Sequence, residues 1–231
     1  MSDELINRHF SSYFTSPSKL FRIRAAFLAV SAAMLIWIIV NSTAINQQPT
    51  NIVRYYTHFS WIGLVIYFLV MFFLSKRLDK MKEMSARKKY WTAIALEALV
   101  SITQTVVWMV VLIYWILLSN KLPTLDLHSL IINVVEHTLD LVFVVVEMAL
   151  TKSWLNYYSF VFPLAVGWLY TFWTWIFVYA GIWDWPYGFF NSVLNPNNKP
   201  AWITVVAILA GSLVIIVIFF IAYATFRIRE Y

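Results

Sequence analysis

Long runs of apolar residues alternate with short polar linkers along this 231-residue chain. The runs cover about 25–45, 56–75, 91–118, 129–150, 158–182 and 201–225. Each is close to the ~20 residues that an α-helix needs to cross the ~30 Å hydrocarbon layer of a bilayer. A helix satisfies its own backbone hydrogen bonds, which lipid cannot do, so the pattern predicts an all-α integral membrane protein, a six-transmembrane helix bundle. The third run is longer than the layer and is expected to tilt or protrude. Pro163 is expected to kink the fifth. Short linkers make neighbouring helices antiparallel and give one compact domain, 25–225, between an N-terminal tail, 1–24, and a C-terminal tail, 226–231. The sequence holds no internal repeat and no low-complexity tract.

Charge orients this bundle. With an even number of spans both ends share one side, and that side carries fourteen Lys and Arg, seven of them between Lys76 and Lys89. The opposite side carries three, Arg54, Lys121 and Lys199. The excess of positive charge predicts that both termini are cytoplasmic. The basic linker would lie against anionic lipid headgroups as a topology determinant, with a dedicated lipid-head or partner site as the alternative. No apolar stretch precedes the first run, so no cleaved signal peptide is expected. Asn41-Ser42-Thr43 matches a glycosylation sequon, but so close to the end of the first run that its use is not expected.

Composition narrows the chemistry. The chain is 61% hydrophobic and 12% charged, with a mean hydropathy of +0.73. Its 12 Trp suit membrane interfaces. The absence of cysteine excludes disulfides, thiolate metal sites, iron–sulfur clusters and a cysteine nucleophile. No basic patch looks like a nucleic-acid footprint, so no nucleic-acid partner is expected.

The fourth run is where polar chemistry concentrates, with Glu136, His137, Asp140 and Glu147 inside it. Ionisable groups in a membrane span are costly to place and usually face a bundle interior or a watery cavity. Asn133, His137, Asp140 and Glu147, at i, i+4, i+7 and i+14, would form a stripe on one face of a continuous helix. Three further features stand near it: Thr57-His58-Phe59-Ser60 at the outer start of the second run, Glu97 with Thr103 and Gln104 in the third, and the aromatic loop from Trp183 to Tyr187. Thr57 starts near the outer surface, and His137 lies roughly 12 Å into its helix, so both reach an outer-half cavity. Glu97 and Glu147 belong nearer the cytoplasmic side.

A hydroxyl beside an imidazole is the minimum for acyl transfer. Thr57 would be the nucleophile, His137 the base that activates it, and Asp140, one turn along, the group that orients the ring. The bland alternative is a hydrogen bond from His137 to a neighbouring helix that holds the bundle together. Metal binding by His137, Asp140 and Glu136 is weaker, because adjacent residues on a helix diverge by about 100°. A haem held by His58 and His137 is a further alternative, with only one such pair available. No cofactor is expected.

The same residues resemble a family. Glu136-His137-Thr138, followed by an apolar run to Glu147-Met148, resembles the histidine helix of the androgen-induced membrane threonine hydrolases. Gly167-Trp168-Leu169-Tyr170 leading to Gly181-Ile182-Trp183-Asp184-Trp185-Pro186-Tyr187 resembles that family's next helix and its W-x-Y-P end. Tyr55-Tyr56-Thr57-His58 through Trp61-Ile62-Gly63 is similar to its threonine segment, in the form of the rolling-stone-like and fungal branch. The chain differs at His58, where Asn is common, and at Val134, where the hydrolases carry another His. The resemblance covers roughly 25–225. It implies a hydrolase that cleaves fatty acid esters of hydroxy fatty acids within the membrane, with its nucleophile at Thr57 and its histidine at His137.

The expectation is an intramembrane hydrolase of lipophilic acyl esters in the endoplasmic reticulum, other endomembranes or the plasma membrane, with membrane lipids and the ester as its partners. The rivals are a non-catalytic accessory, cell-fusion or signalling protein, and a small transporter in which Glu97, Asp140 and Glu147 carry protons or ions.

Overall fold

A computed structural model describes residues 2–45, 55–118, 127–153, 155–182, 184 and 201–228. Among them every regular element is helical, apart from one isolated bridge. In chain order the α-helices are α1 (Ser2–His9), α2 (Pro17–Val40), α3 (Tyr56–Lys76), α4 (Leu78–Lys82), α5 (Ala86–Ile113), α6 (Leu127–Glu136), α7 (Leu139–Leu150), α8 (Val161–Tyr179) and α9 (Ala201–Ile228). Single π-helical turns extend α2 over Asn41–Ile45 and α5 over Tyr114–Leu118. A 3-10 turn, Tyr157–Phe160, leads into α8.

Among the described residues five helical stretches are long and apolar enough to cross a membrane: Pro17–Ile45, Tyr56–Lys76, Ala86–Ile116, Tyr157–Tyr179 and Val205–Ile228. The chain is a multi-pass helical membrane protein. The expected fourth run, 129–150, instead forms two helices, α6 and α7, that meet in a turn at His137-Thr138. The continuous stripe read from residue spacing is therefore interrupted at His137.

α5 is the central helix. It packs against α1, α3, α7, α8 and α9. Its apolar window is 61% buried, against 17–39% for the other four stretches. Beside it, Trp61, Leu64, Phe68 and Met71 make a fully buried face of α3. Phe143 of α7 stacks on Phe27 of α2 at 4.6 Å and meets Trp61 and Phe68 edge-on. Elsewhere large apolar side chains face outward, as Trp168, Leu169 and Phe172 do on α8 and Leu209 and Leu213 on α9. Such surface is stable against lipid and not against water.

Local chemistry sets the helix ends. Ser16 caps α2 by accepting from Lys19 N–H, and Pro17 occupies the first turn, so α2 begins eight residues earlier than the apolar run. Pro163 falls in the first turn of α8. It has no N–H to offer the Ser159 carbonyl, and Ser101 Oγ donates to that carbonyl at 2.8 Å instead. The helix passes from 3-10 to α geometry at Phe160-Val161, just before this proline. Gly181, at φ 70°, ends α8, with Ile182 N–H reaching back to the Phe177 carbonyl.

The segment read as a polar tail is part of the packed structure. Ile6 and Phe10 join the main apolar core, and His9 is fully buried. Ser12 forms an antiparallel bridge with Thr151 just past α7, with Tyr13 N–H donating to Leu150 O and Lys152 N–H to Ser11 O. Of the aromatic loop only Asp184 is described, and it is exposed; Trp183, Trp185, Pro186 and Tyr187 lie outside the described residues, as do Arg54, Lys121 and Lys199.

Candidate functional site

Breaking a helix frees backbone groups that must find partners when water is absent. At the α6–α7 break they do. Trp61 Nε1 of α3 donates to the Glu136 carbonyl at 3.1 Å, and Trp115 Nε1 of the α5 extension donates to the His137 carbonyl at 3.4 Å. Asp140 Oδ1 accepts from Leu141 N–H at 2.8 Å. Asp140 Oδ2 accepts from Ser60 Oγ at 3.3 Å. The carboxylate is completely buried, and it ties the first turn of α7 to the first turns of α3.

His137 sits in the turn itself and is buried. Its ring lies flat against Tyr114, with centroids 3.5 Å apart and planes 11° apart. Tyr114 OH in turn donates to Asn133 Oδ1 at 3.4 Å. His137 Nδ1 is buried and has no hydrogen-bond partner among the described residues. Thr57 is also buried, one turn before Ser60 and Trp61 on the same face of α3. His58 next to it lies within electrostatic reach of His137. The start of α3 thus faces the break.

Among the described residues Asp140 hydrogen-bonds to Ser60 and to Leu141 rather than to His137. The group that lies against the imidazole is Tyr114, by ring stacking. Sequence spacing missed Tyr114, Trp61 and Trp115 because their partners come from another helix. Among the described residues, no group of three or more His, Asp or Glu side chains is arranged as a metal site.

The other two carboxylates lie apart from this break. Glu97 Oε1 accepts from Asn156 N–H at 2.9 Å, from Asn156 Nδ2 at 2.6 Å and from Ser159 Oγ, so it caps the 3-10 turn that begins α8. Glu147 Oε1 accepts from Arg24 Nε at 2.9 Å and from a terminal guanidinium nitrogen at 2.6 Å. Tyr67 OH donates to the same oxygen at 2.7 Å. Arg24 also donates to His9 O at 2.7 Å. In the sequence Arg24 stands at the edge of the first apolar run beside Arg22 and Lys19 and reads as one of several tail cations, so spacing did not single out this ion pair.

No protein-family model, curated protein or solved structure matches this chain.

Proposed function

We propose that this protein is a six-span bundle with cytoplasmic termini that hydrolyses lipophilic acyl esters within the membrane, as the resemblance to the androgen-induced threonine hydrolases implies. The observation that carries the reading is the buried His137 Nδ1, left without a hydrogen bond among the described residues at a helix break that faces the Thr57 end of α3. A buried imidazole nitrogen without a partner is costly as scaffold and useful as a base.

In the proposed reaction His137 accepts the Thr57 hydroxyl proton as Oγ1 attacks the acyl carbon. The tetrahedral oxyanion collapses, and the alkoxide leaves with the proton returned by His137. Water, activated by the same imidazole, then cleaves the acyl-threonine and regenerates the hydroxyl. Tyr114 holds the ring, and Asp140 acts as a positioning residue through Ser60. Lipid around the helices would admit the apolar acyl chain directly.

The test uses purified protein in detergent, with wild type, Thr57→Ala and His137→Ala compared for long-chain acyl ester hydrolysis and fluorophosphonate labelling. Each variant is expected to lose ~100-fold or more of the turnover and all of the labelling, at unchanged elution in size exclusion. Well-folded wild type that neither turns over nor labels would overturn the reading. It would favour a non-catalytic multi-pass protein, for which the observation in hand is that Glu97, Asp140 and Glu147 are each taken up by bonds between elements.

A further inference from the structure

A groove of about 340 Å³ opens between the start of α2 and the end of α3. Pro17 begins one membrane-crossing stretch and Lys76 ends another, so the groove lies at the level where apolar helix gives way to polar linker. Leu20, Phe21 and Leu78 supply apolar walls, and Ser18, Arg24 and Lys76 supply polar atoms. Arg24 is neutralised by Glu147, so Lys76 provides the groove's unbalanced charge.

Lys76 is held in place. Its ammonium lies 4.3 Å from the Phe72 ring centroid and 6.0 Å from that of Phe21, and these two rings stack at 5.0 Å. Among the described residues no carboxylate pairs with it. Lys19, Arg22, Arg77 and Lys80 stand exposed on the neighbouring turns, with Asp79 the single acid among them. A fixed, unpaired cation over an apolar wall at the headgroup level matches one class of ligand. The phosphate of a lipid meets the ammonium while its glycerol and upper acyl carbons meet the wall. A free anion or an acidic peptide would leave that wall exposed to water.

We propose that this groove binds one anionic glycerophospholipid by its headgroup phosphate, with Lys76 as the principal contact. The proposal is independent of the hydrolase reading.

Native mass spectrometry of the full chain in detergent, titrated with dioleoyl-phosphatidylglycerol or dioleoyl-phosphatidylcholine, tests it. The expected result is one phosphatidylglycerol bound in preference to phosphatidylcholine. Lys76→Gln should weaken that binding about fivefold or more, whereas Lys80→Gln, outside the groove, should change it by less than about twofold. Ser18→Phe, which fills the groove without altering charge, should weaken it as Lys76→Gln does. Lys76 is exposed and its variant is expected to fold, so Lys76→Gln decides the matter even where Ser18→Phe elutes as aggregate. Equal losses in Lys76→Gln and Lys80→Gln, or no preference between the two lipids, would reduce the effect to diffuse surface charge and overturn the proposal. Displacement of the lipid by inorganic phosphate at matched concentration would overturn it in favour of a soluble anion.

Discussion

His9 shows how far a single residue departs from what its position in the chain implies. It stands in a polar stretch, yet it is fully buried, with Nδ1 3.0 Å from Ser153 Oγ. Burial first, and then the Arg24 charge, lower its pKa from 6.5 to about 3. The unfolded chain therefore takes up this proton at a higher pH than the folded one, and stability rises with pH across that window. The full contribution is present above about 6.5 and is lost as the pH falls toward about 3. At about pH 5.5 the expected loss is on the order of 1 kcal/mol relative to neutral pH. Thermal unfolding at the two pH values measures it, and His9→Asn should flatten the difference. Parallel melting behaviour in wild type and variant would show that His9 does not titrate in this way. Glu147 makes the complementary point. Within an apolar run it has the look of a proton carrier, but one of its oxygens is held by an arginine and a tyrosine.

At the scale of the element, the fourth apolar run is the one whose local pattern misleads. Spacing treats 129–150 as one helix, whereas α6 and α7 are separated by the turn at His137-Thr138. Nothing in that run is a strong helix breaker, since it holds neither Gly nor Pro. What supports the turn lies on other helices: the Trp61 and Trp115 indoles on the freed carbonyls, and Ser60 on Asp140. Trp61→Phe keeps most of the buried ring and leaves the Glu136 carbonyl without its donor. The expected cost is ~1–3 kcal/mol, read as a lowered thermal midpoint in detergent. Trp115→Phe should cost less, because its bond is longer at 3.4 Å and its side chain is partly exposed. A larger effect at Trp115 than at Trp61 would contradict this account of the break.

At the scale of the whole molecule, a buried ion pair joins several helices. Arg24 on α2 and Glu147 on α7 are each about 1% exposed, and between them they engage Tyr67 on α3 and the end of α1. Four elements thus meet at a buried charge pair. Removing one partner strands the other, so Arg24→Met is expected to cost ~3–5 kcal/mol. The double variant Arg24→Met with Glu147→Met should be clearly milder than the sum of the two single changes, because it leaves no stranded charge. Thermal unfolding of all four proteins measures the coupling, and additive losses would show that the pair is not what joins these elements.

The apolar runs by themselves determined that the chain is helical, that it belongs in a membrane, and roughly where the long helices lie. Those properties follow from transfer of side chains into lipid and from backbone self-satisfaction, both of which act locally along the chain. Thr57, His137 and Asp140 were likewise legible as candidates, because polar residues stand out in an apolar run. Their relations were not. Whether Asp140 turns to His137 or to Ser60, whether Arg24 faces headgroups or Glu147, and whether residues 2–13 hang free or pack were decided by tertiary structure. The reason is that a buried polar group is stabilised by whichever partner the neighbouring helix brings within hydrogen-bond distance, and the spacing along one helix does not encode that partner.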